Sequence, residues 1–534
     1  MTANNGILTY NNSTNEIRKY YYSPITRLSY DSALINNLYC FIGLNANSTD
    51  QFSPNTPIQT IYESKLLYKN IIALKKVNIN EISPIIERID WKANTYYEAY
   101  SDTVDLLEKN SNGKLLKQFY VRNRFDQIFK CLWNNINSNN TVNITNVSSN
   151  VANSTMIISH EGGTFQIGNY VTLQNIIPSE YNGTRLVIDS SVGSVTCTYT
   201  SNTTYQSGGT IKNAILSTDE PTFDVGTFDV NQIVKTNDGY KWKYIYTINQ
   251  GLKQKFFTDE WMPIPISTNI TNPLETVGIG SIDVINVVNG GNNYTDGTNT
   301  TIVLITGDGT DASATAQVLG NTIVEIGMDN IGKNYTYANV NIVPAPGFSG
   351  NGIQTSFSIS PIGGHGFNPP IELGCNHLMI STEFSGSESN KIPTDIYYNQ
   401  IGLLVNPYAY DTYPNLANSD IYYAYTSVIM SSGSIDYINN EIIYQGDSLA
   451  NSTFTGSVLS YDSSNSILYL IHSTGDISVN YPIFGSNSGA SRIALQTTTS
   501  NFINFSGDFI YIENRTNINR NAQDTENFRL ILKY

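Results

Sequence analysis

Four histidines, four cysteines and a few close acidic pairs are the residues of this chain that could carry chemistry. Their spacing argues against most of it. His160, His365, His377 and His472 lie in separate segments, and no HxxxH or HExxH spacing brings two imidazoles to one metal. Cys40, Cys131, Cys197 and Cys375 are far apart with no CxxC, which reads as buried free thiols rather than disulfides or a metal site. His365 stands between Gly364 and Gly366 and reads as a turn histidine whose ring holds a loop. Asp308 and Asp311 in GDGTDAS (307–313) resemble a fragment of a calcium loop, but the later bidentate Glu is missing and a plain turn is the reading. Asp219/Glu220 and Asp259/Glu260 read as turn caps or partners of Lys and Arg. A glycoside hydrolase needs two carboxylates roughly 5–9.5 Å apart across a groove, and nothing beyond β-richness points there. GxSxG, P-loop and GxGxxG motifs are absent. The expectation is therefore no enzyme, with no catalytic, cofactor-binding or metal residue and no cofactor.

The elements that would position such groups are β-rich. A chain of 534 residues should hold several domains, since single cores stop growing near roughly 250–300 residues. Charged residues make up 14%, so Asn, Ser and Thr must supply solubility. The 37 tyrosines suit half-buried strand faces and interfaces, having an apolar body and a polar tip. A net charge of −15 argues against tight nucleic-acid binding, which needs a Lys/Arg footprint. No stretch approaches the ~20 apolar residues of a membrane span, so no membrane insertion is expected. MTANNGILTYNN lacks a basic start followed by an apolar run, which reads as no signal peptide and synthesis in a reducing cytoplasm.

Core-style motifs recur along the chain with charge-poor stretches between them. Residues 1–137 mix helix and strand. Thr56 as N-cap, Pro57 at the first helical position and Gln59 completing a capping box start a helix over 56–67, with Ile58, Ile61, Tyr62 and Leu66 as its stripe. In FYVRNRFDQIFKCLWNN (119–135), Phe125, Phe129, Cys131 and Trp133 share one parity and predict a strand with one buried face. In DGYKWKYIYTI (238–248), a turn at Asp238-Gly239 precedes a strand whose Tyr240, Trp242, Tyr244, Tyr246 and Ile248 form an aromatic face opposite Lys241, Lys243, Ile245 and Thr247. Phe528, Leu530, Leu532 and Tyr534 share a parity that predicts a final core strand.

Three stretches read as inserts. Residues 138–212 are nearly free of charge and predict a small β-module with turns at Gly168-Asn169, Asn182-Gly183 and Val192-Gly193. Residues 277–360 contain an internal repeat: INVVNGGNNYT (285–295) matches IGMDNIGKNYT (326–336) at an offset of 41 residues, which predicts a compact two-lobed β-insert. Residues 436–495 form a third β-rich stretch. The core is expected to be discontinuous, with 1–137, 213–276, 361–435 and 496–534 packing together and the inserts projecting from it.

In order, the core motifs are RIDW (88–91), FYVRNRFDQIFKCLWNN, DGYKWKYIYTI, GHGFNPPIELG (364–374), IGLLVNP (401–407) and GDFIYIENR (507–515). The set resembles the T4-type phage baseplate wedge protein, the gene-eight product family. The nearest match is GDFIYIENRTNINRNAQDTENFRLILKY (507–534), where Gly507, Asp508, Ile510, Tyr511, Glu513, Asn514, Arg515, Asp524, Thr525 and Glu526 fall on the family pattern. RIDWKANTYYEAY (88–100) is similar to the family's Arg-x-Asp-Trp and Tyr-rich segment. The match covers about half the chain, and the T4-type protein is much shorter; the extra length falls in the three inserts. The resemblance implies a mainly β fold, a multi-layer β-sandwich core with a few helices, interrupted by small inserted β-domains. It also implies a homodimer in the virion's tail baseplate that contacts other baseplate wedge proteins and takes part in the conformational change of infection. It carries over no catalytic or binding residue. A different class of function, a tail-fibre or adhesin-like module binding host-surface carbohydrate, would use exposed aromatic side chains in a groove with Asp or Asn nearby.

Overall fold

Apolar runs and apolar–polar alternation both become strands, and the fold is mainly β, with 51% strand and 6% helix in several antiparallel sheets and barrels. The computed structural model describes residues 6–8, 37–45, 54, 57, 61–110, 114–135, 141–162, 165–200, 203–224, 233–265 and 280–533. Among these, the residues up to Pro84 and from Asn376 onward form one compact unit, and those from Ile85 to Cys375 form another. The segments read as core divide between the two units: 61–84 lies in the first and 85–135 in the second.

In the first unit, Leu38–Gly43 is buried at every residue, so its unbroken apolar run is covered on both faces. It sits inside a six-stranded sheet ordered Gly6–Leu8, Asp508–Arg520, Ile396–Val405, Leu38–Gly43, Ile71–Lys76 and Ile421–Tyr423. The terminal strand Thr525–Lys533 pairs with His377–Ser385, setting Leu378 against Leu532, Ile380 against Leu530 and Thr382 against Phe528. Phe528, Leu530 and Leu532 are buried as their parity requires; Tyr534 lies outside the described residues. The helix is Ile61–Asn70 and buries Leu67. The expected capping residues Thr56 and Gln59 lie outside the described residues, and the described Pro57 is not helical. Six strands between Thr426 and Thr498 close into a barrel whose interior holds Val428, Ile443, Val458, Leu468, Leu470 and Ile483.

In the second unit, a hairpin replaces the single strand expected over 119–135. Asn123 takes the amides of Phe125 and Gln127 on its side-chain oxygen, Asp126 adopts φ 61°, and the chain reverses between Tyr120–Arg122 and Gln127–Asn134. Phe125 is left on the turn, 55% exposed. Gln127–Asn134 pairs on its other side with Tyr240–Thr247 and is buried at every residue, on both faces rather than one. Strands between Val142 and Asn213 close into a second six-stranded barrel. A barrel this narrow is filled by side chains, here Met156, Ile158, Val171, Leu173, Val187, Val195 and Ile211.

The repeat folds as a pseudo-symmetric pair. Ile285 pairs with Phe357, and one repeat length away Ile326 pairs with Ala316. Tyr294 N donates to Asn321 O at 3.1 Å, and its counterpart Tyr335 N donates to Gly280 O at 3.1 Å. Gly291 and Gly332 both have φ 69°, a left-handed conformation that glycine adopts without a Cβ penalty. The two copies do not form two lobes. Their strands interdigitate, and Ile285, Tyr294, Ile326 and Tyr335 share one hydrophobic cluster, because neither copy could bury its apolar face alone.

Each buried tyrosine lies under a glycine, again 41 residues apart. A Cβ on Gly309 would stand 2.4 Å from the Tyr335 ring, and one on Gly350 would stand 2.0 Å from the Tyr294 ring. Gly309→Ala and Gly350→Ala should therefore each destabilise by about 1–3 kcal/mol through overpacking, Gly350→Ala more because of its φ of +149°. Gly327→Ala meets nothing within 4 Å and should be neutral or slightly stabilising. Urea titration of the three variants checks this; equal stabilities would mean that the rings shift freely.

Candidate functional site

Chemistry-bearing side chains gather at two places in the second unit. The first joins two of the ordered motifs. Strand alternation puts Arg88 and Asp90 of RIDW on one face, and Arg122 and Asp126 of the hairpin come up against them. Asp90 takes Arg88 Nη2 at 2.6 Å and Arg122 Nη1 at 2.6 Å, and Asp126 takes Arg122 Nη2 at 2.7 Å and Lys253 Nζ at 2.6 Å. Lys253 lies on the helix Gln250–Phe256, whose start is capped by Asn249 accepting from Leu252 N. Arg88 and Arg122 flank the Phe257 ring at 4.6 and 4.7 Å. Burial pushes both carboxyls up, but the cations beside them hold each below its ordinary value. Three cations meet two carboxylates here, with the exposed Asp259 3.7 Å from Arg88 as a third, and the network ties three segments together.

The second place is buried. Gln127–Asn134 has no exposed face, so Lys130 at its middle must find its counter-charge inside. Asn-Pro-Pro supplies it: Asn368 caps Ile371 N, the prolines fit the first helical turn, and the short helix Pro369–Glu372 turns Glu372 inward. Lys130 Nζ lies 2.8 Å from Glu372 Oε1, with the two side chains 1% and 2% exposed. His365 Nδ1 donates to the same oxygen at 2.6 Å, and Gly366 N donates to Oε2 at 2.7 Å. Tyr100 packs edge-on to His365 at 4.9 Å and lies under the Lys130 ammonium at 3.6 Å. Its hydroxyl donates to Ile359 O at 3.1 Å, where the chain leaves the repeat module.

A neighbouring pair fixes the other end of that module. Lys243 Nζ lies 2.8 Å from Asp283 Oδ1, both buried, and Ser281 Oγ donates to Asp283 Oδ2 at 2.8 Å. Ser360 N donates to Ser281 O at 2.8 Å, so the entering and leaving segments are bonded to each other as well as to the sheet. Lys243 lies on the same face as Lys241, as alternation requires, and is buried because the segment carrying Asp283 covers that face of the Tyr240–Thr247 strand.

Electrostatics make this cluster sensitive to acid. Burial, then Lys130, pulls the His365 imidazole below its ordinary value, so it is neutral in the fold. Burial pushes Glu372 up, but Lys130 and His365 overcome it and hold the carboxylate well below the usual range. Below pH ~6.5 the unfolded chain binds a proton that folded His365 refuses, so stability falls as pH drops. Below pH ~4.5 Glu372 acts in the same direction, since its folded pKa is depressed. Each titrating group removes up to about 1.4 kcal/mol per pH unit. Urea unfolding at a series of pH values should show this slope, and His365→Gln should flatten its upper part; an unchanged slope would place the titration elsewhere.

An open cavity of about 540 Å³ adjoins the Lys243–Asp283 pair, lined by Lys235, Lys241, Asp283, Glu325, Met328 and Asp329 among others. Lys235 Nζ and Glu325 Oε1 are 2.8 Å apart, and burial pulls the Lys241 ammonium down to about 8. Its charges are largely matched within the chain.

The other sequence candidates are local fixtures. His160 Nδ1 donates to Gly162 O at 2.7 Å, and His472 Nε2 donates to Asn70 Oδ1 at 3.0 Å. Asp308 accepts from Thr336 N at 2.9 Å and Tyr337 N at 3.1 Å, closing a turn of the second repeat. Asp219 takes Asn237 N at 3.0 Å, Glu220 pairs with Arg124 at 3.4 Å and Asp259 with Arg88 at 3.7 Å, caps and ion pairs as their turn context suggested. His377 lies at the start of the strand His377–Ser385. All four cysteines are buried and none forms a disulfide. Among the described residues no group of three or more His, Cys, Asp or Glu could hold a metal ion, and no helix is long and apolar enough to cross a membrane.

What sequence reasoning missed is the pairing of Lys130 with Glu372 and of Lys243 with Asp283. The sole signal was a lysine inside an otherwise apolar strand, a residue type almost never fully buried unless paired. No family model matches the chain, and no curated protein matches it.

Proposed function

We propose that the chain is a structural baseplate wedge subunit of a contractile-tail bacteriophage. In this reading it is a homodimeric scaffold in the virion's tail baseplate, made in the host cytoplasm. It links neighbouring wedge proteins during assembly and through the conformational change of infection. The observation that carries the reading is the order of the core motifs along the chain, from RIDW through DGYKWKYIYTI to GDFIYIENR. The use of charge supports it: Arg88, Asp90, Arg122 and Asp126 join segments, and Lys130, Glu372, Lys243 and Asp283 are buried in holding the repeat module to its sheet. Change in such a part comes from differential contacts with neighbours, the core strands moving as rigid bodies. Fractionating purified particles tests the reading. The chain should stay with isolated baseplates after tubes, sheaths and fibres are removed. Its recovery with detached fibres, or its absence from particles, would sink the proposal.

A further inference from the structure

Where glycine follows asparagine, the side-chain amide is open to attack by the chain itself. Glycine has no Cβ to shield its own nitrogen, and its backbone turns freely. Such pairs stand at Asn5-Gly6, Asn112-Gly113, Asn182-Gly183, Asn289-Gly290 and Asn351-Gly352. Asn5 and Asn112 lie outside the described residues. The other three differ in what holds them. Asn182 Oδ1 accepts from Ile176 N at 2.9 Å and its Nδ2 donates to Ile176 O at 3.1 Å, so both ends of that amide are tied to a neighbouring strand. Asn289 Oδ1 accepts from Gly291 N at 3.0 Å. The backbone after Asn289 is also wedged, since a Cβ on Gly290 would stand 2.4 Å from Ile323 O.

Asn351 has neither restraint. It is exposed at the start of the strand Asn351–Phe357, and its side chain makes no hydrogen bond to a described residue. That strand is paired on one side only, with Ile285–Asn292. A Cβ on Gly352 would meet only Gly291 Cα, at 3.8 Å, so the attacking nitrogen has room to turn. We propose that Asn351 is a site of spontaneous deamidation. Gly352 N attacks Asn351 Cγ, and a succinimide ring closes as the new C–N bond forms and the Cγ–Nδ2 bond breaks. The proton of Gly352 N leaves with Nδ2 as ammonia. Water then opens the ring. Opening at the side-chain carbonyl gives aspartate; opening at the main-chain carbonyl gives isoaspartate, whose backbone runs through the side-chain carbons. Both products carry a negative charge that asparagine lacks. The position makes isoaspartate disruptive. Gly350, one residue before, lies under the Tyr294 ring, and Asn351 itself pairs with Asn292. An added main-chain carbon between Gly350 and Gly352 loosens the cover of a tyrosine in the core of the repeat module.

Peptide mapping by mass spectrometry tests the proposal, on the purified full chain kept for days in mildly alkaline buffer. Aspartate and isoaspartate should accumulate at Asn351 at least roughly tenfold faster than at Asn182 or Asn289, whose hydrogen bonds must break first. The same incubation in urea, which removes those restraints, should bring the three rates together. Asn351→Gln closes a larger ring and should stay intact. Fresh, it should keep the wild-type circular dichroism spectrum and urea midpoint. Aged wild type should show a lowered urea midpoint, and aged Asn351→Gln should not. If Asn351 stays intact in the fold while the unfolded chain converts, the proposal is overturned. Conversion at Asn182 and Asn289 as fast as at Asn351 overturns it equally, because the fold would then select nothing.

Discussion

Glu372→Ala should destabilise the unit spanning Ile85–Cys375 by about 3–5 kcal/mol, the cost of leaving a buried charge without its partner. The other carboxylate that acts on Lys130, Asp283, is already paired with Lys243. Its side chain is 1% exposed, and its ammonium lies between Glu372, His365 and the Tyr100 ring. Gly366 N and His365 Nδ1 would lose their acceptor in the same step. The penalty therefore comes from desolvation more than from lost attraction. Lys130→Met combined with Glu372→Leu should recover much of the loss, since an apolar pair of similar volume removes both buried charges. Urea denaturation of the three proteins reads the difference. A loss under about 1 kcal/mol for Glu372→Ala, the size of an exposed ion pair, would show that water reaches the site.

Removing residues 526–534 should abolish folding of the other unit. The strand Thr525–Lys533 pairs with His377–Ser385 along its whole length. Phe528, Leu530 and Leu532 are buried, each contributing about 1.5–3 kcal/mol. Glu526 is the counter-ion of Arg520, whose side chain is fully buried, so the truncation also strands a cation. Together these losses rival a stability of ~5–15 kcal/mol. Leu530→Ala gives the graded form, with an expected cost of about 2–5 kcal/mol. A soluble truncated chain with the wild-type circular dichroism spectrum and protease resistance would show that the strand is peripheral.

How much of this was legible in the sequence depended on the range of the interaction. Alternation is local, and it placed Phe528, Leu530 and Leu532 inward and Arg529, Ile531 and Lys533 outward. The 41-residue repeat was visible as identity, and its equivalent pairings followed from the same residues at equivalent positions. Closure of the barrels was not visible, because each strand's register is set by partners far along the chain. Phe125 shared the parity of Phe129 but fell on a turn, since Asn123 captures two amides and Asp126 tolerates a left-handed backbone. The buried clusters were the least legible. Lys241 and Lys243 alternate with aromatics as a solvent-facing row would, and it is the distant segment carrying Asp283 that covers Lys243. Its partner Asp283 is 40 residues away, and Glu372 is 242 residues from Lys130, so no spacing rule connects them. The Asp308 turn, which spacing could reach, has the local role its context suggested, whereas His365 sits on a turn but also enters the buried Lys130–Glu372 cluster.

A density map of a contractile-tail particle that carries this chain, before and after contraction, tests the central claim most directly. The expected result is density for both six-stranded barrels and the pseudo-symmetric repeat module in the baseplate wedges beside the tail tube. The core strands should keep their pairing in both states, and the changes should be confined to loops and interfaces. Density for the chain at the tips of tail fibres, or a sugar held between paired carboxylates in a groove of its surface, would contradict it.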